Sequence, residues 1–234
     1  VSAKNLAEEK DAIKTLIGDI SHQTKTPIAN LLLYAQLLEE QDLPPESREY
    51  ASALEHQAEK LRFLIDALVK TSRLESGVLA MTPKRHGIQQ LLDAASAQAA
   101  PGAEAKAITL TVEPTDLTAR FDPKWTAEAL YNLVDNAVKY TPAGGAVTLR
   151  AVGYELFCRV DVTDTGPGIP ESEQARIFQR FYRSPSASEA EGVGIGLYLA
   201  RQIAAGQGGY LKVSSRPGEG STFSLFLPRA EERT

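Results

Sequence analysis

Ile20-Ser21-His22-Gln23-Thr24-Lys25-Thr26-Pro27 lies inside a segment with an apolar heptad. Leu6, Ile13 and Ile20 fall seven residues apart, and Leu16, Ile17, Thr24, Ile28 and Leu31 fill intermediate positions. That spacing predicts an amphipathic helix burying one seam. His22 stands two positions after a seam residue, on the flank, where an imidazole nitrogen can meet a partner. Pro27, five residues on, removes a backbone donor and is expected to kink or loosen the preceding turn. Two readings stay open on these residues alone: a solvated His beside a tolerated kink, or a presented, reactive imidazole.

Working outward, residues 3–38 read as one long helix, broken by Gln41-Asp42-Leu43-Pro44-Pro45-Glu46-Ser47. A second helix runs to about Gly77, with Tyr50, Leu54, Leu61, Leu64, Ile65 and Leu68 as its apolar stripe. Two helices and a short turn make a hairpin that cannot cover both stripes. A dimer forming a four-helix bundle is the economical solution. His56 on the second helix reads as surface or bundle packing. Met81-Thr82-Pro83-Lys84-Arg85-His86-Gly87 reads as a connector, which divides the chain into an all-α hairpin domain, 1–80, and a second domain, 83–234.

In the second domain, 88–100 reads as a helix and 108–112 and 117–121 as strands. Asp122-Pro123 is a helix start, with Asp as N-cap and Pro at the first helical position. The helix runs to Tyr140. Strands follow at 146–152 and 156–163, a helix at 195–206, and strands at 209–215 and 221–227. This is an α+β layered domain.

The bulk composition narrows the function classes. The net charge of −5 with no Lys/Arg block argues against a nucleic-acid partner. A single cysteine, Cys158, excludes an intrachain disulfide. No apolar run approaches a membrane span, and no signal peptide opens the chain. The chain starts in helical register without a cap, as a fragment with a missing upstream part would.

Helix 123–140 has an apolar face of Leu130, Leu133, Val134, Ala137 and Val138. Asn132, Asn136, Lys139 and Tyr140 fall on nearly the opposite face. Amide oxygens can ligate Mg²⁺, a Lys can offset phosphate charge, and a phenol can stack on a base. The plain alternative is a solvated face, although two Asn residues in one helix cost stability. Asp164-Thr165-Gly166-Pro167-Gly168-Ile169-Pro170 follows a strand. Its glycines allow close ligand approach, and its carboxylate can accept from an exocyclic amine, selecting adenine. Ile177–Arg183 leads into a polar, lid-like stretch, 184–191. Gly192-Val193-Gly194-Ile195-Gly196-Leu197 then opens a helix whose N–H groups suit a phosphate. Gly218–Thr222 alone reads as a tight hairpin. There is no G-x-G-x-x-G, no G-x-x-x-x-G-K-[ST], no Ser/Thr-kinase catalytic loop and no zinc spacing.

Taken in order, these stretches resemble the cytoplasmic catalytic core of a bacterial two-component sensor histidine kinase. His22–Pro27 is similar to the H-box and 71–77 to the end of the second helix. Asn132–Tyr140 resembles the N-box, Asp164–Pro170 the first G-box, Phe178–Phe181 the F-box, Gly192–Leu197 the second G-box and Gly218–Thr222 the last. The resemblance implies a helical hairpin followed by a two-layer α+β sandwich of the GHKL or Bergerat ATPase type. It makes His22 the phosphoacceptor and Asn136 the Mg²⁺ ligand. Asn132 and Lys139 are then expected at the phosphates and Tyr140 near the base. Asp164 reads the adenine amine, with Gly166 and Gly168 letting the base approach. Arg183 is a candidate for the γ-phosphate, and Gly192, Gly194 and Gly196 shape the lid hinge. Ile169, Phe181, Leu197 and Thr222, within the matching boxes, join the expected nucleotide contacts. ATP and Mg²⁺ are the implied cofactors. A response-regulator receiver domain and a second copy of the chain are the implied partners, with a cytoplasmic setting and a membrane anchor upstream of residue 1.

One departure stands out. The family usually has Glu or Asp directly after the His, and here it is Gln23. Thr26 fits the family position that orients a water for dephosphorylating the regulator. The same residues therefore admit a rival: a nucleotide-binding, phosphatase-biased or weakly active module. An ATP-hydrolysing clamp without phosphohistidine is a third reading.

Overall fold

The computed structural model describes residues 3–75, 81–184 and 194–229, with side-chain surroundings for all of these but 3–14, Ile17, His22 and Glu75. The chain forms two compact units, Val1–Leu79 and Ala80–Thr234.

The first unit is a hairpin of α1 (Ala3–Glu39) and α2 (Pro45–Glu75). α1 stays one helix through Pro27. Pro27 offers no N–H to the Gln23 carbonyl, and one turn earlier Thr24 Oγ1 donates to the Ile20 carbonyl at 2.6 Å. The buried residues of the pair are modest in size: Ser21, Ile28 and Ala35 on α1, each seven apart, and Ala51, Ala58, Ala67, Val69 and Thr71 on α2. Of the seam expected from the sequence, Ile28 is buried within the hairpin, while Leu16, Ile20 and Leu31 are 59%, 42% and 51% exposed in the single chain. Close approach of two helices selects small side chains. Ile20, Leu31, Tyr34 and Leu38 of α1, with Tyr50, Leu54, Leu61 and Leu68 of α2, remain exposed.

The second unit begins with β1 (Lys84–Gly87), paired antiparallel to β3 (Thr118–Phe121). These four residues were expected to be connector, since Lys-Arg-His-Gly carries no apolar alternation. Pairing with β3, and the His86 ring 5.4 Å from Phe121, holds them extended. α3 (Ile88–Ala105) lies between β1 and β2 (Thr109–Val112). It continues past the expected end at Ala100 and through Pro101. Its last turn is packed, with Ala103 buried and Gly102 close to Val138, and packing overrides the proline signal. α4 (Pro123–Tyr140), β4 (Ala146–Gly153) and β5 (Phe157–Asp164) follow. Next come a one-turn α5 (Glu171–Gln174), which the sequence did not announce, α6 (Gly196–Gly206), β6 (Tyr210–Arg216) and β7 (Gly220–Pro228).

Five strands form one sheet in the order β2-β4-β5-β7-β6, parallel only at β2-β4. One face is the core. Val147, Leu149, Val160, Val162, Leu225 and Leu227 are buried there, with Leu92, Leu130, Leu133 and Ile203 from the helix layer. Cys158 shares this face at 1% exposure, and burial pushes its thiol up to about 11, against a smaller opposing pull from Arg229. The other face carries a row of hydroxyls in register across all five strands: Thr111, Thr148, Thr163, Thr222 and Ser214. Strand alternation thus delivers Asp164, last residue of β5, to the helix side of the sheet.

Candidate nucleotide site

α4 supplies one wall. Asp122 caps it, accepting from the N–H groups of Lys124 (3.1 Å) and Trp125 (3.3 Å). Its apolar face is buried, and Asn132, Asn136, Lys139 and Tyr140 lie half-buried on the other side. Asn132 Nδ2 donates to the Glu128 carbonyl at 2.9 Å. The Asn136 amide makes no hydrogen bond among the described residues. Lys139 Nζ stands 5.5 Å from the Tyr140 ring centroid. Burial pushes the Tyr140 phenol up, the Arg183 guanidinium pulls it down, and Asp135 adds to the rise. Asp135 is itself pushed up by burial, with Lys139 and Tyr131 opposing. The C-terminal turn is held by Lys106, whose Nζ donates to the carbonyls of Val138 (2.8 Å) and Lys139 (2.7 Å).

The end of β5 supplies the floor. Asp164 Oδ1 accepts from the N–H groups of Gly166 (2.8 Å) and Ser221 (3.2 Å). Oδ2 accepts nothing among the described residues. Burial pushes this carboxyl above the usual carboxylate range despite the two N–H donors. Gly168 has φ +73, and a Cβ there would run into the Arg216 carbonyl, so only glycine makes this turn. The Ile169 N–H donates to Ser215 Oγ at 2.8 Å. Gln174 Nε2 bonds the carbonyls of Ile169 (3.0 Å) and Ser215 (2.9 Å).

α6 supplies the opposite wall. Phe181 N–H donates to the Gly194 carbonyl at 2.9 Å, pinning together the two ends of the stretch between them. Phe181 takes a left-handed φ of 60° and is exposed. Phe178 is buried, with its ring edge-on to Phe223. At the start of α6, a Cβ on Gly196 would sit 2.8 Å from Asn132 Oδ1. The first N–H groups of this helix have no intrahelical acceptor, and Leu197 is half-buried beside them.

The structure thus brings together the α4 face, Asp164–Ile169, Phe181, Arg183, Gly194, Gly196 and Leu197. Gly192 lies outside the described residues. Thr222 is a correction. Its hydroxyl meets Thr163 Oγ1 at 3.0 Å on the outer face of the sheet, while its neighbour Ser221 stands beside Asp164. A one-residue shift in a strand reverses the face. Lys106, Gln174, Ser215 and Ser221 were missed, and of these only Ser221, inside the Gly218–Thr222 stretch, carried a signal. Gln23 and Thr26 are exposed positions of α1 in the other unit; the His22 side chain lies outside those described.

A space floored by a carboxylate with one open oxygen, shaped by glycines and walled by an unpaired amide and a helix N-terminus fits an adenine nucleotide. The Asn136 amide oxygen fits one ligand position of Mg²⁺, which usually keeps waters and phosphate oxygens for the rest. Among the described residues no cluster of His, Cys, Asp and Glu could hold a metal by itself, and no helix is long and apolar enough to cross a membrane.

Comparison with known proteins bears on both units. Residues 12–77 match the His Kinase A (phospho-acceptor) domain. Residues 121–231 match the histidine kinase-, DNA gyrase B-, and HSP90-like ATPase family. The sensor protein DivL of Caulobacter vibrioides is 34% identical over 230 residues, covering 97% of this chain and 29% of DivL. The sensor protein GacS of Pseudomonas syringae is 31% identical over 242 residues, covering 98% of this chain and 27% of GacS. The chain spans under a third of the length of these two relatives. Among solved structures, full-length ShkA in complex with AMPPNP superposes with a TM-score of 0.76 at 29% identity, over 93% of this chain and 47% of ShkA. The mycobacterial kinase MprB gives 0.56 at 26% identity, over 64% of this chain and all of that one.

Proposed function

Because this chain belongs to the sensor histidine kinases, whose phosphoacceptor and ATPase domains it carries in order, we propose that it phosphorylates itself on His22 from Mg·ATP and passes the phosphoryl group to an Asp of a response regulator. The observation that supports this most is Asp164: a carboxylate fixed through Oδ1 by two N–H donors, with Oδ2 open toward a glycine-shaped space. In this reading Oδ2 accepts from the adenine amine and Tyr140 lies against the base. Asn132, Lys139 and the N-terminus of α6 hold phosphate oxygens, with Arg183 at the γ-phosphate. Mg²⁺, held by Asn136, supplies charge neutralisation at the phosphates when bound.

The neutral His22 imidazole attacks the γ-phosphorus in line with the departing ADP oxygen. An N–P bond forms, the P–O bond to ADP breaks, and the proton on the other ring nitrogen is stabilised or released. The test is label incorporation from γ-labelled ATP, with His22→Gln as the decisive variant.

A carboxamide at position 23 could accept the imidazole N–H but could not take its proton. Gln23→Glu is therefore expected to speed single-turnover phosphorylation. A positioned base typically contributes ~10²–10⁴-fold, and the gain here falls at or below the low end because Gln already orients the ring. Thr26→Ala should leave that rate unchanged and slow regulator dephosphorylation. An unchanged or slower Gln23→Glu rate would mean that position 23 does not act as the base.

The exposed apolar face of α1 and α2 supports a homodimer closing a four-helix bundle. Residues 1–77 are expected to sediment as a dimer and residues 83–234 as a monomer. A monomeric hairpin would remove this part of the reading. In the full-length protein we place this core in the cytoplasm, below a membrane-anchored sensor segment.

A further inference from the structure

α4 and α6 run alongside each other, and two places along their packing involve polar groups. At one, Gly196 leaves just enough room for Asn132. At the other, ten or eleven residues away on each helix, there is a buried polar network. Gln207, directly after α6, accepts at Oε1 from the Asp122 N–H and from Thr126 Oγ1 (3.3 Å). Its Nε2 donates to Thr126 Oγ1 (3.0 Å) and to the Ile203 carbonyl (3.2 Å). Asp122 also reaches backward along the chain: its Oδ2 accepts from the N–H (3.0 Å) and hydroxyl (3.3 Å) of Thr82. Thr126 is fully buried, and Asp122 and Gln207 nearly so.

Three segments therefore share one set of hydrogen bonds: the chain entering the domain at Thr82, the first turn of α4, and the end of α6. An apolar contact there would tolerate a range of helix spacings. A satisfied buried network holds one, because any slip strands a polar group away from water. The lever is long. Asn136 lies fourteen residues from Asp122, about 21 Å along the helix. Thr82 follows the last residue of α2 by seven positions.

We propose that Asp122 and Gln207 are positioning residues of the nucleotide site. They set the spacing of α4 against α6, and Thr82 makes the segment that enters the domain part of the same joint. A pull on that segment then changes how Asn132, Asn136 and Gly196 face the nucleotide. This rests on reading α4 and α6 as the walls of that site.

The experiment measures Mg·AMPPNP affinity by calorimetry for the whole chain, at a temperature where circular dichroism shows each variant folded. Gln207→Met keeps length and removes the α6 arm. Asp122→Asn keeps the helix cap, since Asn caps as well as Asp, but faces the Thr82 N–H with a second donor. We expect about tenfold weaker binding for Gln207→Met and about threefold weaker for Asp122→Asn, with the double variant weaker by less than the product, as groups in one network couple. Thr82→Val should act in the direction of Asp122→Asn, and Thr82→Ser should restore wild-type affinity. Lowered thermal midpoints with unchanged affinity would reduce the network to a stabilising role and overturn the proposal, as would effects that multiply. Asn136→Ala separates the two claims. If it weakens binding while the network variants do not, the joint fails and the nucleotide site stands; a wild-type chain that binds no AMPPNP removes both.

Discussion

His22→Gln is expected to take up no acid-labile phosphate from γ-labelled ATP while binding Mg·ATP as the parent does. The substitution keeps a long polar side chain with good helix propensity, so α1 should persist. A carboxamide nitrogen donates its lone pair to the carbonyl and is no nucleophile for phosphorus, so the loss should reach background. Nucleotide affinity should hold because Asn136, Asp164 and Gly196 belong to the other compact unit. The sequence has three histidines, so His56, His86 and the lysine and arginine nitrogens remain as alternative acid-labile acceptors. Residual acid-labile label at the parental level would assign the chemistry to one of them. Acid-stable label would point to hydroxyls such as Ser21, Thr24 or Thr26, and the histidine mechanism would fall.

Asp164→Asn is expected to weaken Mg·ATP binding by roughly 10- to 100-fold and to raise the thermal midpoint of the nucleotide-free protein. The first effect follows from the pinned geometry. The Gly166 and Ser221 N–H groups require an oxygen at the Oδ1 position. The variant must then turn its NH₂ toward the adenine amine, setting donor against donor. Leaving such groups unpaired costs roughly 1–3 kcal/mol, and each 1.4 kcal/mol is tenfold in affinity. The second effect follows from the raised carboxyl pKa, caused first by burial and only partly offset by the two N–H donors. A fold that raises an acid's pKa favours its protonated form. Stability from this group is present below the unfolded pKa and is lost as pH rises through the folded value. At neutral pH the ionised Asp164 therefore lowers stability, and a neutral isostere relieves it. Differential scanning calorimetry of both proteins across pH 4–8 checks this: the gap between them should widen with rising pH. A lower midpoint for the variant at neutral pH would mean that the N–H donors outweigh burial. Unaltered affinity would mean that the base is not read at Asp164.

Much of this site was legible in the sequence because the boxes that carry it are local. Asp122-Pro123 announces the α4 cap, and the glycines around Asp164 and Gly196 announce turns that larger residues cannot make. What escaped was set by partners far along the chain. β1 is a strand only because β3 lies beside it. Ser215 acts on Ile169 from 46 residues away, and Gln174, five residues on from Ile169, ties the two together. Lys106 reaches the end of α4 from the end of another helix. Pro101 sits inside α3 because packing against α4 outweighs a local breaker. The Thr222 error has a different origin: the motif located the turn, but alternation along β7 decides which residue stands on the Asp164 side of the sheet, and the register is a property of the sheet.

The lone thiol has a practical consequence. Cys158 is enclosed beneath the helix layer, and with a pKa of about 11 almost none of it is thiolate near neutral pH. Maleimide and nitroxide reagents are attacked by thiolates that can reach them, so the native chain should be nearly silent to them while folded. A cysteine installed at an exposed position, such as 26 on α1 or 156 between β4 and β5, would then carry the only spin label or fluorophore in the molecule. Distances between such probes, with and without nucleotide, become measurable in the otherwise native chain, with no cysteine-free background to build first.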